Sequence, residues 1–307
     1  MKLSIVATLY QSAPHITEFY RRASASARTL VGEDYEIVLV SDGSPDNSLN
    51  LAVELTKIDT HVIVVDLSRN FGHHKAMMTG LAYAKGELTF LIDSDLEEEP
   101  EYLISFAKQM EDESCDVVYG VQGTRKGGWF ERWSGSLFWK MINGLSGLSL
   151  PENVVTARLM TRRYVQSLLQ HQEREVFMAG LWFITGYTQN PQIVHKLSIS
   201  KSSYTLRRKL SLFVNSVTSF SNLPLAGIFY IGLLILTFAC FYTGSLVINW
   251  LFFSHPLTGW TSVMASIWLL GGLIISFLGI IGIYLSKIFS EAKGRPYTIV
   301  RNVYGRH

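Results

Sequence analysis

Phe90-Leu91-Ile92-Asp93-Ser94-Asp95 is an apolar run that ends in two carboxylates one residue apart. Read as a strand, it delivers both acids to a carboxyl end, the edge at which open α/β sheets bind their ligands. The surroundings fit that reading. Short runs rich in β-branched residues at 4–9, 36–40, 62–67, 88–92 and 116–121 alternate with helical patterns at 14–30, 46–56, 74–84 and 100–110. Such alternation predicts an α/β fold, Rossmann-like, with a mainly parallel, doubly wound sheet. Pro14 and Pro100 are expected in first helical turns, and Asp46 at a helix start.

The chain changes character towards its end. Of its 307 residues, none from 210 to 286 is Asp, Glu, Lys or Arg. That stretch holds two apolar runs, 225–253 and 262–285, each longer than the roughly 20 residues a helix needs to cross a bilayer. The polar turn between them, Ser254-His255-Pro256-Leu257-Thr258-Gly259-Trp260, is too short to hold a domain. The expected organisation is a domain at 1–205, a juxtamembrane amphipathic helix at 206–222, a two-helix transmembrane hairpin at 223–286 and a C-terminal tail at 287–307. Arg207, Arg208 and Lys209 precede the first run, and Lys287, Lys293 and Arg295 follow the second. Basic flanks of this kind favour a multi-pass protein of the inner membrane with domain and both termini in the cytoplasm. A net charge of +2 is too small to suggest nucleic acid as a partner. Cys115 and Cys240 suggest no disulfide framework, and residues 1–6 are too short an apolar run for a signal peptide. Near 128–145, Trp129, Phe130, Trp133, Leu137, Phe138 and Met141 gather on one helical face. This helix reads either as core packed on the sheet or as an amphipathic helix lying in the membrane interface.

Two carboxylates such as Asp93 and Asp95 suit Mg²⁺ or Mn²⁺, which take oxygen ligands and fill the remaining positions with water and phosphate. Glu97, Glu98 and Glu99 leave a second reading open, in which the pair lies in a solvated turn capping the next helix. Asp42-Gly43-Ser44 follows the apolar run at 37–40 and repeats the strand-to-acid pattern. It reads either as an ordinary Asp-Gly turn or as a carboxylate that accepts hydrogen bonds from a nucleobase, with Thr8 and Tyr10 completing the base pocket.

Together, Asp42-Gly43-Ser44, Ser68-Arg69-Asn70-Phe71-Gly72-His73 and Asp93-Ser94-Asp95 resemble the family 2 glycosyltransferases in order and spacing. Within them the chain is similar to the polyprenyl-phosphate glycosyltransferases, which include the bactoprenol glucosyltransferases and dolichol-phosphate mannose synthases. Thr218-Ser219-Phe220-Ser221 before Pro224, the apolar tail and Lys293-Gly294-Arg295-Pro296 resemble the bactoprenol branch. The resemblance implies a GT-A fold, a nucleotide-sugar donor such as UDP-glucose, and Mg²⁺ or Mn²⁺ held on its diphosphate by Asp95 and Asp93. It also implies inverting transfer of one sugar to a polyprenyl (undecaprenyl) phosphate at the cytoplasmic membrane face, for O-antigen or lipopolysaccharide modification. Carried over, Asp93 and Asp95 are the catalytic pair. Thr8, Tyr10, Asp42, Ser44, Arg69, Asn70, Asp93 and Ser94 form the donor site. Arg125, Lys126, Arg132 and Arg158 are the candidates for the lipid phosphate, and a homo-oligomer, often a tetramer in the family, is the expected assembly.

The chain departs from the family pattern where an acidic residue usually precedes Phe-Arg-Leu. Here Thr156-Ala157-Arg158-Leu159 stands, so the carboxylate often assigned as base is missing at Thr156. Ser203 also stands where a lysine is usual, and Glu97 makes the run after Asp95 unusually acidic. A sugar hydroxyl would lose base assistance worth roughly 10²–10⁴-fold. A phosphomonoester, with its second pKa near 6, is already largely a dianion and attacks without a base. The departure thus weighs against a hydroxyl acceptor more than against a phosphate. Two rivals stand beside this reading. A processive polysaccharide synthase carries Gln-x-x-Arg-Trp, whereas here Trp129 occupies the glutamine position before Arg132-Trp133. The other is a non-catalytic membrane scaffold with a transferase-like fold.

Overall fold

Every residue of β1 (Leu3–Leu9), β2 (Tyr35–Ser41) and β3 (Val62–Leu67) is buried, which is why these segments read as near-continuous apolar runs. The computed structural model describes residues 1–123, 153–173, 178–195, 223–253 and 259–305. It divides into two units, Met1–Trp139 with Leu148–Thr205 and Arg295–His307, and Lys140–Gly147 with Leu206–Gly294.

In the first unit, helices α1 (Ile16–Val31), α2 (Ser48–Ile58), α3 (His73–Tyr83) and α4 (Tyr102–Glu113) alternate with β1, β2, β3, β4 (Leu88–Asp93) and β5 (Val117–Gln122). There follow β6 (Val154–Thr161), α5 (Arg162–Leu168), α6 (Met178–Ile184), β7 (Gln189–Val194) and, from the far end of the chain, β8 (Val300–Tyr304). The strands form one sheet in the order β7-β5-β6-β4-β1-β2-β3-β8. Strands β3, β2, β1 and β4 run parallel, β6 is antiparallel to β4 and β5, and β8 is antiparallel to β3. The fold is therefore the expected α/β sheet with a parallel centre. Because β1 has β2 on one side and β4 on the other, the chain turns in opposite directions from it. A crevice opens at the carboxyl ends of such strands.

The sheet is covered on both faces. On one, Phe90 meets Phe106 of α4 edge to face, with ring centroids 6.0 Å apart, and both are fully buried. Burying such a ring stabilises the fold by about 1.5–3 kcal/mol. On the other face α3 lies close: a Cβ on Gly80 would sit 2.5 Å from Val6 Cγ1, so only glycine allows this approach.

Two boundary expectations are corrected. Helices α1 and α4 begin after the caps His15 and Glu101, so Pro14 and Pro100 precede the helices rather than lie in their first turns. Residues 287–307 are not a separate tail. Helix α8 (Trp260–Ala292) runs into them, and 300–304 return as β8 beside β3. Five residues pairing with a strand more than 200 positions away leave little periodic signal to read.

The second unit contains α7 (Leu223–Phe253) and α8, which enclose the expected spans. Their apolar side chains are not covered: Phe238 is 71% exposed and Ile275 72%. Within α8, the span Leu270–Ala292 contains an 18-residue window of mean hydropathy 2.0 with none of it buried, which suits a helix surrounded by lipid. Among the described residues this is the one helical stretch long and apolar enough to span a membrane, and Pro224–Ile235 is a shorter apolar one. The aromatic helix expected near 128–145 and the juxtamembrane helix at 206–222 lie outside the described residues.

Candidate active site

Strands β1 and β4 end together, with Thr8 opposite Asp93 in register. Strand β6 enters beside them, and its Thr156 hydroxyl donates to Asp93 Oδ2 at 2.8 Å. From the other face His73, the first residue of α3, places Nε2 3.2 Å from Asp93 Oδ1. Its Nδ1 lies 3.0 Å from Thr8 Oγ1. Partial burial works against a charge on His73, but Asp93, followed by Asp42 and Asp95, outweighs it and holds the imidazole above its ordinary value. The edge is thus an acidic patch.

Beyond Asp93 the backbone turns sharply. Asp95 Oδ1 accepts the Glu97 N–H at 3.0 Å, and Leu96 between them has a φ of 60°. Glu98 is fully buried and accepts the backbone N–H groups of Thr156 and Ala157 at 3.2 and 2.7 Å. This is not a solvated helix cap: Glu98 fastens the start of β6 next to Asp93. The α4 cap, Glu101, makes no side-chain capping bond. Asp93 and Asp95 offer carboxylate oxygens, the donor type that Mg²⁺ and Mn²⁺ prefer. Among the described residues no three His, Cys, Asp or Glu side chains could cage an ion alone. Two carboxylates with water and phosphate in the remaining positions is the usual Mg²⁺ arrangement, so the donor set fits.

Asp42 has a different environment. It is 2% exposed, and its oxygens accept the backbone N–H groups of Phe71 at 2.7 Å and Gly72 at 3.0 Å. A Cβ on Gly43 would lie 2.4 Å from the Asn70 nitrogen, and its φ of +59° also favours glycine, so the 69–72 loop packs directly on this turn. Ser44 accepts the Gln11 N–H at 2.7 Å and donates to Asp46. Asp46 also accepts from Ser48 and from the Ala13 N–H. Burial raises its pKa, but the Ser44 and Ser48 hydroxyls and these backbone donors prevail and bring it down to about 2. Ser94 is buried and donates to the Thr8 carbonyl at 2.8 Å. Tyr10 is 50% exposed at the rim. Arg69 is exposed, stacked over the Phe71 ring at 4.4 Å, and Asn70 is exposed beside it.

Residues 4–169, more than half of the chain, match the model of the family described as glycosyl transferase family 2. The chain belongs to that family. A Mycobacterium tuberculosis protein grouped by name with glycosyltransferases is 50% identical over 305 residues, 99% of this chain and 89% of that one. The bactoprenol glucosyl transferase of Shigella phage SfV is 31% identical over 305 residues, 98% of this chain and 99% of that one. In fold, the chain is similar to the mannosyltransferase PcManGT of Pyrobaculum calidifontis, solved with GDP-Man and Mn²⁺. That TM-score is 0.50 at 15% identity, covering 95% of this chain and 85% of the other. The fold is of the GT-A type and the chain is a glycosyltransferase.

One site expectation is corrected within the transferase. Arg158 is not an exposed arm available to a lipid phosphate: it is 1% exposed, two positions along β6 from Thr156. Its Nε and Nη2 donate to the Thr156 and Val155 carbonyls at 3.3 Å each, and its guanidinium stacks on the Trp182 ring. Burial pulls its pKa down to about 9, against Tyr164, Glu98 and Tyr119. With Trp182 and Tyr119 it lines a cavity of about 300 Å³. Arg125, Lys126 and Arg132 lie outside the described residues. From sequence, His73 belongs only to the 69–73 run on the donor side of the cleft and Glu98 to a capping turn, whereas the structure puts His73 on Asp93 and Glu98 on the start of β6. His73 carried one usable signal, its place at the end of the Ser68–His73 motif ahead of a helix.

Proposed function

We propose that this transferase moves a single sugar from a nucleotide sugar, UDP-glucose or a close relative, to a polyprenyl phosphate at the cytoplasmic membrane face, with inversion. The observation that carries the reading is Asp93, held between Thr156 and His73 at the carboxyl edge of β4. The likeness to bactoprenol glucosyl transferases along the whole chain supports the lipid acceptor. The apolar α7 and α8 support a hairpin that keeps the domain beside the bilayer.

In this reading Asp95 and Asp93 hold Mg²⁺ or Mn²⁺, which when bound neutralises charge on the departing nucleoside diphosphate. Asp93 keeps its orientation through the Thr156 hydroxyl on one oxygen and the His73 imidazole on the other. Thr8, Tyr10, Asp42, Arg69 and Asn70 frame the donor, with Ser44 and Ser94 setting the backbone beneath it. Thr156 supplies a hydrogen-bond donor where a base would add a second negative charge beside Asp93. An acceptor that is already an anion makes that exchange tolerable. Arg125, Lys126 and Arg132 receive its phosphate, and Arg158 shapes the wall behind. The domain divisions at 205 and 222, an undecaprenyl carrier, a homotetramer and a role in cell-surface glycan modification belong to the same proposal.

The test is purified chain with polyprenyl phosphate, Mg²⁺ or Mn²⁺ and a panel of nucleotide sugars. A lipid carrying one sugar is the expected product. A polymer would favour a processive synthase, and inertness towards every donor would favour a scaffold.

A further inference from the structure

The returning C-terminal segment touches the donor side of the site. Ser68, where β3 leaves the sheet, has both backbone groups engaged by it. Its N–H donates to the Ile299 carbonyl at 2.9 Å, and its carbonyl accepts Arg301 Nη2 at 2.6 Å. Arg301 Nη1 also lies 3.6 Å from the carboxylate of Asp66, which is buried at the end of β3. One helix further on, Thr298 Oγ1 meets Thr79 Oγ1 of α3 at 2.9 Å. The segment therefore holds the start of the β3–α3 connection at Ser68 and the second turn of α3 at Thr79. That connection is the 69–72 loop, which carries Arg69 and Asn70 and whose Phe71 and Gly72 amides bind Asp42.

We propose that Arg301 and Thr298 are positioning residues for the donor site, holding the 69–72 loop in the conformation that presents Arg69 and Asn70 to the nucleotide. This rests on the reading above that the loop faces a nucleotide sugar. Without the strap only the Phe71 and Gly72 bonds to Asp42 hold the loop, and they open more often. An exposed loop so released samples more conformations, and ordering it again on binding weakens the ligand. The same residues lead directly from α8, so the membrane-anchored end of the chain and the donor loop are joined within a few residues.

The experiment uses the full chain in nanodiscs, comparing wild type with Arg301→Ala, Arg301→Lys and Thr298→Val. The dissociation constant of UDP is measured with Mn²⁺ present, together with hydrogen exchange of the Phe71 and Gly72 amides in the nucleotide-free protein. Arg301→Ala should weaken UDP on the order of tenfold, with Arg301→Lys and Thr298→Val intermediate. Phe71 and Gly72 should lose protection while β1 amides keep theirs, and the KM for polyprenyl phosphate should stay as in wild type. Unchanged protection at Phe71 and Gly72 would overturn the proposal. So would a loss shared by the whole sheet, which marks a purely structural strand. Should wild type bind no nucleoside diphosphate, the donor reading fails, while the exchange data still decide whether the strap holds the loop.

Discussion

Asp42 and Asp93 look alike in sequence, each an acid at the end of an apolar strand, yet the fold uses them differently. Asp42 is buried and bound by two backbone amides of a loop that cannot withdraw without leaving N–H groups unsatisfied. Asp93 is held by a threonine hydroxyl and an imidazole, side chains that can rotate away when a ligand arrives. One carboxylate builds the edge and the other is available for work there. On the proposed assignment, burial and exchangeability of partners, rather than position on the strand, set the metal-holding acid apart from the one that frames the donor pocket.

The contrast can be broken in several places. The largest expected effect is on transfer: Asp95→Asn should lower the rate by roughly 10²–10³-fold, the scale of losing one preorganised electrostatic contact, with an unchanged melting curve. A near wild-type rate in a metal-dependent assay would remove Asp95 from the site. Asp42→Ala should act on stability, costing about 1–3 kcal/mol in urea unfolding because two partly buried amides lose their acceptor. If it unfolds like wild type, Asp42 is not the anchor described.

Asp46 sharpens the building side. Its folded pKa of about 2 lies below the ordinary carboxylate value near 3.8, so its stabilisation is complete above that value and is lost as pH falls through 2. Between pH 5 and 2 wild type should lose about 2 kcal/mol more than Asp46→Asn in denaturant titrations. Parallel acid profiles would show that the Ser44–Asp46–Ser48 cluster contributes nothing. The smallest effect is expected at Thr156→Val, which removes one hydroxyl from Asp93 and should reduce transfer by up to about tenfold while leaving UDP affinity alone.

The sheet centre was legible because its strands are buried on both faces and so spell unbroken β-branched runs. Asp93 and Asp95 were legible because such a run ends on them. Arg158 was not, since an arginine in sequence carries no sign that a tryptophan 24 positions later will cover it. Nor were the partners of Asp42, which come from a loop about thirty residues on. Strand β8 hid for the same reason: its pairing with β3 depends on where the chain returns after two long helices, which no local pattern encodes. Thr156 was read as a missing base, and only the geometry reveals the hydroxyl as a donor to Asp93.

The division between the two acids is tested most directly by Mn²⁺ uptake in the presence of UDP, followed by electron paramagnetic resonance. Wild-type chain should deplete the free-ion signal in proportion to its concentration, and Asp95→Asn should leave it near the protein-free level. Equal uptake by the two proteins would contradict the assignment of this sheet edge as the seat of transfer.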